Sequence, residues 1–218
     1  MRIILASASP RRKDLLKNLF QTFEVIPATG AETYTKTHPP DIVQQLALQK
    51  AAEVEQKFCG SFPADAETRI NTDACLSANS CGNEDYLVIG ADTIVVSEGR
   101  ILGKPRNASH AAEMLHSLAG NVHQVYTGVA LILSMQGRRQ CLEFAECTHV
   151  RFYPMTEEEI EAYIRSGEPM DKAGSYGIQG MGGRFVQGLD GDYQNVVGLP
   201  VARLYQVFKK IKDFPLPF

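Results

Sequence analysis

No stretch of this chain is long and apolar enough to cross a membrane. Met1-Arg2 is followed at once by a short apolar run, which leaves no room for the apolar segment of a signal peptide. A soluble, cytoplasmic protein with no membrane partner is therefore expected. Broad positive charge is also missing. The formal net charge is −3 at pH 7, which speaks against a general nucleic-acid binder and requires any bound anion to be held by a local pocket. The cysteines are unpatterned: Cys59, Cys75, Cys81, Cys141 and Cys147 are odd in number and form no C-x-x-C pair, which argues against a disulfide framework and a standard zinc site. Three of them fall in the segment 59–85, read as a polar surface insertion carrying free thiols. The five histidines show no metal-binding spacing, and none is assigned to catalysis. Internal repeats and low-complexity tracts are absent, and so is tryptophan.

What is present is enough apolar material, 44% of 218 residues, for one sizeable core or two small lobes sharing a sheet. Near the start, Ile3-Ile4-Leu5-Ala6 breaks into Ser7-Ala8-Ser9-Pro10-Arg11-Arg12, followed by an amphipathic run with Leu15, Leu16, Leu19 and Phe20. The pattern predicts a strand, a tight turn, and a helix capped by Ser9 with Pro10 in its first turn. Hydroxyls, helix N-terminal N–H groups and two guanidiniums would then meet in one place and suit an anion, most naturally phosphate. On spacing alone, a capped surface helix with a solvated Arg pair explains the segment equally well.

Further along, Phe23–Ile26 predicts a short strand and Asp41–Phe58 a long helix, with Ile42, Leu46 and Ala47 on one face and Lys50 a turn beyond Leu46. The continuously apolar Tyr86–Val96 predicts a buried strand, turning at Glu98-Gly99 into Arg100-Ile101-Leu102. Asn107 is placed to cap a helix stopped by Gly120. Strands over about His123–Met135 and Arg139–Tyr153 join at Gly137, and Thr156 with Glu159 forms a capping box for a helix reaching Gly167. A Gly-rich segment, Ala173–Gly183, precedes a strand near Phe185–Leu189, and Pro200 opens a last helix into Lys212. Crossover helices together with long hairpins predict an α/β protein with a mixed sheet.

Asp92 is read as a carboxylate at the C-terminal end of a buried strand, where α/β folds place ligand crevices. It suits a general base or a ligand to a hard divalent cation, although by itself a strand-end Asp capping its own turn is the more ordinary reading. Glu32, Lys50 and Lys104 are singly unremarkable. If they converged with Asp92 and the Arg pair, they would form what phosphoanhydride cleavage needs: cations for the triphosphate and carboxylates for a hydrated metal and a water. The run Ala173-Gly174-Ser175-Tyr176-Gly177-Ile178-Gln179-Gly180 lacks the G-K-[ST] ending of a Walker loop. Gln179 carries both a donor and an acceptor, matching the O4 and N3–H edge of uracil or thymine, but by itself the run reads as a flexible linker.

Taken together, these segments resemble the Maf family of nucleoside triphosphate pyrophosphatases, also called septum formation inhibitors. The matching pieces are Leu5–Arg12, Leu46–Lys50, Ile89–Thr93, Gly103-Lys104-Pro105, Glu168–Gly174, Tyr176–Gly180, Gly191-Asp192-Tyr193 and Val196–Pro200, in order along nearly the whole chain. The resemblance implies a mixed α/β fold with an elongated twisted sheet, flanking helices and two lobes around a cleft, similar to the inosine triphosphatase architecture, in a single domain over 1–218. It also implies a homodimer, a divalent metal cofactor such as Mg²⁺ or Mn²⁺, and hydrolysis of a nucleoside triphosphate to monophosphate and pyrophosphate. The position of Asp92 is the family's proton acceptor. Those of Arg11, Thr93 and Gln179 are associated with substrate choice, and those of Ser7, Arg12, Glu32, Lys50 and Lys104 line the phosphate and metal site.

The branch acting on dTTP and UTP resembles this chain in S-P-R-R, G-A-D-T and Y-G-I-Q-G. The branch acting on 7-methyl-GTP carries a tryptophan after the proline, a glutamine after the aspartate and an acidic residue in the Gly-rich segment. A cationic methylated base profits from an aromatic face and an acidic edge partner, and the matching positions here offer neither. The expected activity is dTTP/UTP pyrophosphatase, with 7-methyl-GTP hydrolysis and a non-catalytic nucleotide-binding regulator of cell division as alternatives.

Overall fold

The structure is a computed structural model that describes residues 1–59 and 84–216. The insertion expected at 59–85, with its thiols Cys75 and Cys81, lies outside the described residues apart from its ends. The chain forms two compact units: residues 1–92, 128–145 and 201–218, and residues 93–127 and 146–200.

In the first unit, strand β1 (Arg2–Leu5) pairs in parallel with the short β2 (Glu24–Val25) and with β3 (Tyr86–Ser97). Between β1 and β2 lies α1 (Pro10–Leu16), capped by Ser9 as its sequence predicts. The long helix α2 (Pro39–Cys59) buries Ile42, Val43, Leu46, Ala47, Ala51 and Val54. Ala47, Ala51 and Val54 meet Ile4, Tyr86, Val88, Ala130 and Ile132 of the sheet in one apolar cluster. Two glycines set the closeness of that packing. A Cβ at Gly90 would stand 3.0 Å from the Ala51 Cβ and nearer still to the Ala47 carbonyl, and one at Gly128 would run into the Val43 carbonyl. Helix α2 thus rests directly on backbone.

Buried in the same unit, Glu55 accepts a bidentate pair of hydrogen bonds from Arg139, both 2.8 Å, and a third of 2.7 Å from the Tyr86 hydroxyl. The final helix α6 (Val201–Phe208) is shorter than expected. Past Phe208 the chain tightens into i→i+3 turns, Lys210 N–H to Val207 O and Ile211 N–H to Phe208 O, which satisfy the last carbonyls without prolonging the helix.

Strands β5 (Val122–Met135) and β6 (Arg138–Phe152), like β3, run through both units. The sheet order is β2-β1-β3-β5-β6-β7, with β4 (Arg100–Leu102) on β3 and β7 (Val186–Asp190) antiparallel to β6, so the sheet is mixed. Both tight hairpins place a non-glycine and then a glycine at positive φ, Glu98-Gly99 at 51° and 74° and Gln136-Gly137 at 53° and 74°. That is the turn whose twist suits a two-residue hairpin.

The second unit adds α3 (Ala108–Leu118), capped by Asn107, and α4 (Glu157–Arg165), whose Thr156–Glu159 capping box forms as predicted. Its core gathers Val95, Leu115, Leu118, Val125, Val150, Phe152, Ile160, Tyr163, Tyr176 and Phe185. The Gly-rich segment is no flexible linker. It winds into 3-10 turns over Ala173–Ser175 and Met181–Phe185, with Gly174, Ser175 and Tyr176 buried. A short helix α5 (Tyr193–Val197), capped by Asp192, was not expected, because five residues leave no periodic signal.

Asp92 is not at the end of its strand but near the middle of β3. Strand pairing explains the difference. The parallel partner β1 reaches only Ile89, and the antiparallel partner β4 begins at Val95. Asp92 therefore lies beyond the C-terminal end of β1 while its own strand continues into a hairpin.

Candidate active site

The turn after β1 is built around the Ser7 hydroxyl, only 6% exposed at its residue. Its oxygen accepts from the Ser9 N–H and from the Arg12 guanidinium, both at 3.2 Å. With both lone pairs engaged, the hydroxyl has only its proton left to offer, as a donor. Burial lowers the Arg12 pKa. The charge of Asp92 opposes that shift, neighbouring Arg11 adds to it, and Glu32 opposes it again. These four side chains thus share one electrostatic neighbourhood. Ser9 caps the helix, accepting from the Arg12 N–H at 3.4 Å, and fixes the first turn from which Arg11 and Arg12 project.

Lys50 joins the two carboxylates. Its ammonium lies 2.5 Å from Asp92 Oδ1 and 2.8 Å from Glu32 Oε1. The closeness of α2 explains the shorter contact. Gly90 and Asp92 are two apart on β3 and share a face. Ala47 and Ala51 press on Gly90, and Lys50 from the same helical turn reaches Asp92. Asp92 does not cap a local turn; it is held in an ion pair at 8% exposure.

Glu32 comes from an irregular loop, and α2 fixes that loop through residues that sequence reasoning missed. Gln45, Gln49, Glu53 and Lys57 recur every four residues on one face of α2 and bond the passing backbone. Lys57 Nζ donates to Pro27 O at 3.1 Å, and Glu53 accepts from the Thr29 and Gly30 N–H groups at 2.7 and 3.0 Å. Gln49 donates to Ala31 O at 2.8 Å and accepts from Thr33 N–H at 3.3 Å, bracketing Glu32 from both sides. Gln45 accepts from Thr35 N–H at 3.2 Å. The Lys57 contact and the two N–H groups hold the Glu53 carboxyl down to about 2. The signal lay in the i, i+4 repeat, which looks like any solvated helix face.

Three further candidates belong to the second unit. The Thr93 hydroxyl pairs with Thr127 at 2.9 Å, and Thr127 gives its proton to the Asn195 carbonyl, also at 2.9 Å. Thr93 is therefore the donor between the two hydroxyls, and its oxygen faces other groups as an acceptor. Lys104 is exposed after β4, next to Gly103, whose carbonyl accepts from Gly174 N–H at 3.1 Å. Gln179 is exposed at the tip of a turn closed by Gly180 N–H to Gly177 O at 3.3 Å.

The described residues thus hold an Arg–Ser cluster next to two carboxylates sharing a lysine, a set whose chemistry suits phosphate esters or anhydrides. The Maf-like protein family matches residues 2–211, and the chain belongs to it. Among its relatives is the dTTP/UTP pyrophosphatase of Agathobacter rectalis, 48% identical over 210 residues that cover 96% of this chain and 97% of the relative. Proteins of the same name from Bacillus thuringiensis subsp. konkukian, 48% identical, and Bacillus cereus, 47% identical, match over 96% of this chain and 95% of their own length.

Proposed function

We propose that this protein is a nucleoside triphosphate pyrophosphatase that hydrolyses dTTP and UTP to the monophosphate and pyrophosphate. The observation that carries the proposal is the Lys50 ammonium held between Asp92 and Glu32 beside Arg12 and Ser7. Relatives at 47–48% identity bearing that activity support it.

The triphosphate is taken up by the Ser7 hydroxyl, the N–H groups at the start of α1 and the Arg11 and Arg12 guanidiniums, with Lys104 adding charge. Asp92 is the proton acceptor. It takes the proton of a water whose oxygen bonds the α-phosphorus while the bond to the β-phosphoryl oxygen breaks and pyrophosphate leaves. Lys50 orients Asp92 and neutralises charge gathering on the phosphoryl oxygens.

The family implies a divalent cation, and the donors fit one: Glu32 and Asp92 offer hard oxygen ligands that already converge on a single cationic group. Among the described residues no three His, Cys, Asp or Glu side chains cluster, so substrate and water oxygens would complete its shell. Bound there, the ion would act as a Lewis acid on the triphosphate. For the base, Gln179 and Thr93 supply the donor–acceptor pairing that a uracil or thymine edge needs.

No helix among the described residues is long and apolar enough to cross a membrane. A cytoplasmic homodimer is the assembly we take from the resemblance, and sedimentation of the purified chain tests it. Product analysis with dTTP, UTP and 7-methyl-GTP tests the activity. Monophosphate plus pyrophosphate from the pyrimidine nucleotides is expected, with turnover lost by at least about a hundredfold in Asp92→Asn. Preferential turnover of 7-methyl-GTP moves the chain to the other branch. Full turnover by Asp92→Asn removes that residue as the base.

A further inference from the structure

The segment Glu168–Gly174 and the Gly-rich run after it are packed against each other in a way that the proposed chemistry does not use. The Glu168 carboxylate reaches back across the run. It accepts from the Met181 N–H at 2.8 Å, the Gly182 N–H at 3.3 Å and the Tyr163 hydroxyl at 2.9 Å. Tyr163, 2% exposed in the core, accepts in turn from the Gly177 N–H at 3.1 Å. Backbone on both sides of Gln179 is therefore tied, directly or through one hydroxyl, to a single carboxylate.

Sterics support the same arrangement. A Cβ at Gly180 would penetrate the Glu168 carboxylate, and one at Gly177 would come within 2.6 Å of the Lys172 side chain. A Cβ at Gly182 would come within 2.5 Å of the Tyr163 hydroxyl. Lys172 is held in place by the Glu168 carbonyl at 2.7 Å and by Asp171 at 2.6 Å. Glycine recurs here because the backbone is pressed onto Glu168, Lys172 and Tyr163. Burial pushes the Glu168 carboxyl up, but the two N–H groups, the Tyr163 hydroxyl and the Lys172 charge outweigh it and hold it below the usual range. It acts as an ionised acceptor.

We propose that Glu168 is a positioning residue for base selection: through Tyr163 and the Met181 and Gly182 N–H groups it holds the Gly177–Gly180 turn so that Gln179 meets the pyrimidine edge in one orientation. The inference rests on the reading of Gln179 as the contact to the base. A side-chain amide discriminates donor from acceptor edges only if its direction is fixed, and an exposed turn cannot fix it alone.

The test is the ratio of kcat/KM for UTP to kcat/KM for GTP in Glu168→Gln, Gln179→Ala and the double variant. Gln at 168 is nearly isosteric, but its amide nitrogen confronts an N–H where an oxygen accepted. Each single variant is expected to lower the ratio roughly tenfold or more, and the double variant no further than the lower of the two. A ratio lowered by Gln179→Ala and untouched by Glu168→Gln overturns the role of Glu168. A ratio untouched by both overturns that role together with the reading of Gln179, whereas pyrophosphate release from UTP still reports on the proposed activity. Tyr163→Phe, which keeps the ring in the core and removes the relaying hydroxyl, should give the same fall, and it decides the question if Glu168→Gln does not fold. Amide exchange at Met181 and Gly182 should accelerate at least tenfold in Glu168→Gln relative to α3. Unchanged exchange there also overturns the proposal.

Discussion

Replacing Gly90 with alanine tests the link between packing and chemistry with a single methyl group. The new Cβ would stand 3.0 Å from both the Ala51 N and its Cβ. It would also stand about 1 Å inside ordinary contact with the Ala47 carbonyl, a rigid part of α2 that no rotamer change can move away. The helix must retreat by something on the order of 1 Å, at an overpacking cost of about 1–3 kcal/mol. Lys50 sits between Ala47 and Ala51 in the same turn, so the retreat draws its ammonium away from Asp92. The 2.5 Å pair opens, and a displacement of that size at reacting groups costs on the order of a hundredfold in rate. Urea denaturation should show a lower midpoint with unchanged slope, and pyrophosphate release from UTP should fall in kcat far more than in KM. Gly188→Ala is the control: its Cβ meets nothing within 4 Å, and both readouts should stay near wild type. A Gly90→Ala enzyme with wild-type kcat would refute the argument that helix–sheet closeness sets the Lys50–Asp92 pair.

Arg139→Met strands the Glu55 carboxylate, whose residue is 2% exposed, with only the Tyr86 hydroxyl for company. A loss of about 3–5 kcal/mol is expected by urea denaturation, partly recovered by adding Glu55→Gln; equal midpoints for wild type and Arg139→Met contradict it. Stability should also decline on mild acidification because of His123. Burial holds its pKa down to about 4, so between the usual 6.5 and that value the unfolded chain binds a proton that the folded chain does not. The contribution is complete above the unfolded pKa and falls by up to about 1.4 kcal/mol per pH unit as pH drops toward 4. His123→Gln, which keeps a polar partner for Tyr176, should flatten the profile between about pH 6 and 4.5. An identical slope in the variant assigns the acid sensitivity to other groups.

Features whose determinants are local were legible in the sequence. Ser9 before Pro10, Asn107, and the Thr156–Glu159 pair each specify a helix start within four residues, and each forms. The candidate site residues could be named from the sequence, but not their arrangement. The apolar run through Asp92 reveals a buried strand, yet where that strand loses one partner and gains another depends on chain segments far away. Gln45, Gln49, Glu53 and Lys57 are ordinary surface residues until a loop is seen lying along them. Gly90 looks like a weak point in a strand until a helix is placed on it. The Gly-rich segment misleads most, since glycine permits both a loose linker and backbone pressed against side chains, and only the neighbours Glu168, Lys172 and Tyr163 decide between them.

Strand β3 carries two obligations on opposite faces one residue apart. Gly90 and Asp92 look toward α2, and Thr93 looks toward Thr127. Sliding the strand by a single position would turn the carboxylate away from its lysine and present an alanine or a threonine in its place. The alignment is set by the pairing that starts at Arg2 with Tyr86. Chain added before Tyr86 leaves that alignment intact, whereas one residue gained or lost between Tyr86 and Thr93 scrambles it. Length variation in relatives should therefore stop abruptly at Tyr86, the first paired residue.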